Sequence, residues 1–136
     1  MLLWKEKRSG KEALLIDGAR RVGKSWIVEE FAKNEYDSYV LIDFSNTKNS
    51  IRRLFIDYEG QMDAFFMHLR LETGVKLFDR KSLIVFDEIQ NFPKAREAIK
   101  YLVKDGRYDY IETGSLMSIN ANVKDINIPS EEHRID

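Results

Sequence analysis

Four short, mostly apolar runs punctuate the chain: Ala13–Asp17, Tyr39–Phe44, Ser82–Asp87 and Tyr108–Thr113. Each predicts a strand, and the continuous apolar run of the first, repeated in the second, suggests burial on both faces, as in a parallel sheet. The segments between them change period. Residues 24–33 place Ile27, Val28 and Phe31 on one side of a predicted helix. Helices are also predicted over 51–58 and 62–72, where Phe65, Phe66 and Leu69 form a core-facing cluster. Asn91-Phe92-Pro93 marks a helix start, Ala95, Ala98, Ile99 and Leu102 continue it, and Gly106 is its predicted C-cap. Residues 2–8 read as the end of a helix broken at Ser9-Gly10, 45–50 as a polar loop, and 117–136 as a weakly patterned tail in which 133–136 begins a fifth strand. Strands alternating with helices predict an α/β fold with right-handed crossovers. In such sheets ligands bind at the carboxyl ends of the strands.

Composition narrows the class. A chain of 136 residues that is 43% hydrophobic has the size of one domain, 1–136, with a real core. The 22 Lys and Arg nearly balance 23 Asp and Glu, which gives no support to wholesale nucleic-acid or membrane binding. With no cysteine, disulfides and thiolate metal sites are excluded. No apolar run reaches the length of a membrane span, so a soluble, cytoplasmic protein is expected.

Chemistry concentrates at the ends of the predicted strands. Directly after the first comes Gly18-Ala19-Arg20-Arg21-Val22-Gly23-Lys24-Ser25, which fills the pattern G-x-x-x-x-G-K-[ST] of a Walker A phosphate loop, with Trp26 following it. The two glycines permit a tight turn whose N–H groups point inward at a phosphate, and the following helix aims its positive end at the same place. Lys24 is expected to reach the terminal phosphates and the Ser25 hydroxyl to ligate Mg2+. The third strand ends in Asp87-Glu88, a Walker B pattern. Asp87 is expected to hold the metal, and Glu88 to polarise a water that attacks the γ-phosphate. Glu112-Thr113-Gly114-Ser115 closes the fourth strand; Thr113 or Ser115 can hydrogen-bond the γ-phosphate or that water, or serve as a helix cap. Glu112 is unusual in a central strand, being exposed there, paired with a base, or part of the site. Asn46 reads as loop polarity, with a restraining contact to Glu88 as the alternative. Arg20 and Arg21 are expected to face solvent or pair with acids, with contact to a phosphate or a neighbouring subunit as the alternative. Arg52, Arg53, Arg107 and Arg134 are candidates for a transition-state arginine, and His68 and His133 read as ordinary histidines.

Through these three segments the chain resembles a family of prokaryotic AAA-type ATPases, in which a P-loop ATPase domain precedes a C-terminal domain. Ile89-Gln90 after the two acids and the triplet Thr113-Gly114-Ser115 sharpen the likeness, which covers essentially the whole chain. The resemblance implies a three-layer P-loop NTPase sandwich of the additional-strand type, in strand order 5-1-4-3-2 with an incomplete fifth strand. It implies phosphate binding by Lys24 and Ser25, metal at Asp87, water at Glu88 and a sensor at Thr113 or Ser115. It also implies that this chain corresponds to a shortened N-terminal ATPase domain, without the lid and C-terminal domain. An arginine supplied by a partner or a second copy would then complete the site.

ATP and Mg2+ are therefore the expected ligands, with hydrolysis the leading activity. A nucleotide-binding module without efficient turnover is the alternative, and a phosphotransferase with an acceptor pocket in 51–78 a third. The guanine-reading N-K-x-D pattern is absent, and no basic aromatic stripe points to nucleic acid.

Overall fold

The computed structural model describes residues 1–7, 10–17, 22–114 and 132–135; residues 17, 22–24 and 132–135 are described by their backbone alone. Five strands, β1 (Ala13–Asp17), β2 (Ser38–Asp43), β3 (Ser82–Asp87), β4 (Asp109–Gly114) and β5 (Glu132–Ile135), form one sheet in the order β2-β3-β4-β1-β5. Every neighbouring pair is parallel. This is the α/β P-loop NTPase-like fold and the strand order that the resemblance implies.

The unbroken apolar runs follow from coverage on both faces. Leu15, Val40, Ile42, Ile84, Phe86 and Tyr110 point to one core, built with α3 (Asn49–Asp57), α4 (Met62–Thr73) and α5 (Pro93–Asp105). Leu14, Leu83, Val85 and Ile111 point to the other, built with α1 (Leu2–Lys7) and α2 (Val22–Glu35). With helices on either side, β3 and β4 are buried at every position. The Trp4 indole donates to the Glu12 carbonyl at 3.1 Å and ties α1 to the start of β1.

Element boundaries differ from the sequence reading by one or two residues. α2 extends through Asn34 and Glu35 because the ladder continues to Tyr36, whose N–H still bonds Ala32 O at 3.1 Å. Ile27 is corrected: at 51% exposure it flanks the exposed Trp26, and the buried stripe is Val28 and Ala32, with Phe31 half-buried. Gly106 caps α5 in the left-handed conformation, φ 80°, as its position predicts. His68 stacks on Tyr58 with ring centroids 4.5 Å apart.

At the amino edge of the sheet, the Tyr36 hydroxyl donates to Asp109 at 2.6 Å and Arg80 closes the same carboxylate from the other side. Burial, reinforced by Asp109, pushes the Tyr36 phenol well above its ordinary pKa. The hydroxyl of Tyr110 has no such partner among the described residues. An unsatisfied buried hydroxyl contributes nothing that phenylalanine would lose. Tyr110→Phe is therefore expected to leave stability unchanged or raise it by up to about 1 kcal/mol, read from the urea midpoint. A clear loss would reveal a partner for that hydroxyl.

Candidate functional site

The parallel sheet brings the carboxyl ends of β1, β3 and β4 side by side. Asp17 registers with Gly114 and Ile16 with Thr113, while Phe86 registers with Glu112. β1 ends at Asp17 and α2 begins at Val22, so the segment 18–21 joins a strand to a helix N-terminus. That is the context a phosphate loop requires. Val22, Gly23 and Lys24 form the first turn of α2, whose unpaired N–H groups and dipole make its N-terminus electropositive. Gly18, Ala19, Arg20, Arg21 and Ser115 lie outside the described residues, as do the side chains of Lys24 and Arg134.

Where side chains are described, Ser25, Asp87 and Thr113 converge with the backbone of Glu88, whereas Trp26 is 64% exposed. The Ser25 hydroxyl donates to Asp87 Oδ2 at 2.8 Å. The Thr113 hydroxyl donates to Asp87 Oδ1 and accepts the backbone N–H of Glu88 at 3.1 Å. Asp87 is only 6% exposed, and two hydroxyl donors offset the cost of holding its charge there. Three elements thus contribute to one cluster: α2 through Ser25, β3 through Asp87, and β4 through Thr113. Strand alternation explains the meeting, since Asp87 and Thr113 point to the same face as Val85 and Ile111, where α2 packs.

Glu88 lies at the turn out of β3. Its backbone is left-handed, φ 54° and ψ 50°, and its carbonyl accepts Asn91 N–H at 3.1 Å, starting the 3-10 turn Ile89–Asn91. A residue with a Cβ is uncommon there and carries strain. The Glu88 carboxylate accepts from the Gln90 side-chain amide at 2.7 Å. Asn46 is exposed in the turn after β2, and the Gln90 amide holds the Glu88 carboxylate from within its own segment.

Asp87 and Ser25 present two hard oxygens 2.8 Å apart. Mg2+ is characteristically held by one or two such protein ligands together with substrate phosphates. Among the described residues no group of three His, Asp or Glu side chains is placed to hold a metal ion.

The arginine candidates separate. Arg107 stands at the opposite edge of the sheet, before β4, and pairs with Asp63 and Asp105, away from the carboxyl edge of its own chain. Arg53 pairs with Asp57 on the surface of α3. Arg52 donates to the Phe44 carbonyl at 2.8 Å and lies over the Phe92 ring. Glu112 is buried rather than exposed, and faces a base, Arg96, that the sequence reading did not single out. A separate cleft of about 210 Å3 opens between the α3–α4 turn and α5, bordered by Phe55, Tyr58, Met62, Phe65, Lys94 and Tyr101. Ser25, Asp87, Glu88 and Thr113 do not border it.

The strand order and the strand-to-helix connection define a P-loop NTPase-like domain. A family model for an AAA domain matches residues 10–126, most of the chain. The chain belongs to this AAA domain family, and ATPase-like nucleotide binding is the function that membership carries. No curated protein matches it. Among the described residues no helix is long and apolar enough to cross a membrane.

Proposed function

We propose that the chain binds ATP with Mg2+ across the carboxyl edge of the sheet and hydrolyses it. The observation that carries this reading is the hydrogen-bonded series Ser25–Asp87–Thr113–Glu88 N–H at the strand ends beside the α2 N-terminus. In this reading Gly18–Ser25 cradle the phosphates and Trp26 flanks them. Lys24 neutralises the terminal phosphates as a point charge. Ser25 and Asp87 hold Mg2+, which when bound offsets charge on the phosphate oxygens. Glu88 orients the attacking water by accepting its hydrogen bond, and Thr113, with Ser115, senses the terminal phosphate. The remaining arginine candidates or a partner complete the charge balance.

The test is an equilibrium ATP titration with and without Mg2+. Lys24→Ala is expected to weaken ATP·Mg2+ binding by about 10- to 100-fold, the equivalent of the 1.5–3 kcal/mol typical of a hydrogen bond to a charged group. Unchanged affinity would remove the phosphate loop from the reading.

A second reading, a nucleotide-gated binding module with slow turnover, is favoured by the Gln90 contact, which engages the Glu88 carboxylate. It predicts full ATP binding with no phosphate release until a partner is added.

A further inference from the structure

A buried pair of opposite charges stands directly behind the edge cluster. Arg96, the fourth residue of α5, is 1% exposed and heads the largest fully buried side chains; Glu112 on β4 is 0% exposed. Arg96 Nε lies 3.8 Å from Glu112 Oε1. Glu112 shares a sheet face with Tyr110 and so points toward α5, whereas Thr113, next along the chain, points toward α2 and Asp87.

Stability alone gives a poor account of such a pair. Two charges lose their hydration on burial, and well-packed apolar residues of similar volume often serve the fold as well or better. What distinguishes this pair is where the chain leads from each member. Glu112 is the peptide neighbour of Thr113. Arg96 stands on α5, which the 3-10 turn Ile89–Asn91 joins to Glu88. Glu88 N–H donates back to Thr113 Oγ at 3.1 Å. The contacts close a ring running from Glu88 through the turn and α5 to Arg96, across to Glu112, and through Thr113 to Glu88 again.

We infer that Arg96 and Glu112 are positioning residues: their pairing fixes the end of β4 against α5 in the register that lets Thr113 hold both the Asp87 carboxylate and the Glu88 backbone. Neither touches the nucleotide. The consequence for turnover rests on the proposed role of Glu88; the consequence for the Glu88 backbone does not.

The experiment compares the full chain with Glu112→Gln, Arg96→Met and the double variant Arg96→Met, Glu112→Leu. The apolar double variant removes both charges together, so it is the form expected to fold if a single change does not. Three quantities are read: the urea midpoint, hydrogen exchange at the Glu88 amide, and the separate kcat and KM for ATP. In the double variant the midpoint is expected at or above that of the parent. Protection of the Glu88 amide is expected to fall at least about 10-fold while amides of the β4 interior keep theirs. KM is expected to stay within about 3-fold and kcat to fall at least about 10-fold. A double variant with the parent's Glu88 protection and kcat would make the pair merely structural and overturn the inference. If Glu88→Gln leaves turnover unchanged, the role assigned to Glu88 fails instead, and exchange at the Glu88 amide alone decides the role of the pair.

Discussion

Glu88→Gln is expected to retain ATP·Mg2+ binding and lose about 10²- to 10⁴-fold in phosphate release, the usual worth of a positioned acid–base group. Glutamine keeps the size of the side chain, and the backbone bond from residue 88 to Thr113 does not involve the carboxylate. The substitution therefore replaces the charged, basic acceptor with a neutral amide while leaving the Ser25–Asp87 pair in place. The comparison needs two measurements on the same preparation: an ATP titration and phosphate release at saturating ATP. Loss of both together would mean that Glu88 supports the fold of the edge. Loss of neither would take Glu88 out of the chemistry.

Phe44→Ala is expected to cost about 3–5 kcal/mol, the largest effect on stability predicted for this chain. Phe44 follows β2 and is fully buried, with its ring centroid 5.9 Å from Phe55, 5.8 Å from Phe86 and 5.4 Å from Phe92. It joins three elements: α3 through Phe55, β3 through Phe86, and the start of α5 through Phe92. Truncation leaves a cavity that all three must collapse into, and edge-to-face geometry is lost at Phe55. Against a typical total of about 5–15 kcal/mol, this approaches unfolding. Urea denaturation with an unchanged m-value would report it directly, and a loss below about 2 kcal/mol would show that the cluster repacks. The backbone bond from Phe44 N–H to the Asp87 carbonyl, 2.9 Å, survives the change, so folded molecules are expected to keep nucleotide affinity.

Much of the architecture was legible because the physical signals were redundant. The unbroken run Leu83-Ile84-Val85-Phe86 has no polar position to offer water, and helices cover both of its faces. Gly106 stops α5 where a left-handed cap is needed. The convergence of Ser25, Asp87 and Thr113 followed from parallel strands delivering their ends to one edge. The strand order was not readable from periodicity, which says which faces are buried but not which strands are neighbours; it came through the family resemblance. Ile27 was misplaced because two adjacent apolar residues, Ile27 and Val28, both fit a helical stripe, and only packing chooses between them.

Arg96 was overlooked for an instructive reason. It lies on the stripe Phe92, Arg96, Ile99, Val103, spaced by four, three and four residues, but a charged residue on an apolar stripe is easily assigned to solvent. A buried carboxylate at Glu112 demanded a cation, and that stripe contained one. Two local anomalies, each weak alone, answered each other. Gln90 escaped notice as a partner of Glu88 because its contact depends on the left-handed turn at residue 88, which no neighbouring glycine announces.

That turn has a consequence for how the protein responds to selection. Holding a side-chain-bearing residue at φ 54° costs roughly 1 kcal/mol that glycine would not pay. A library screened for thermal resistance should therefore enrich glycine or asparagine at position 88, and one screened for phosphate release should enrich glutamate. Position 88 is where the two screens are expected to part.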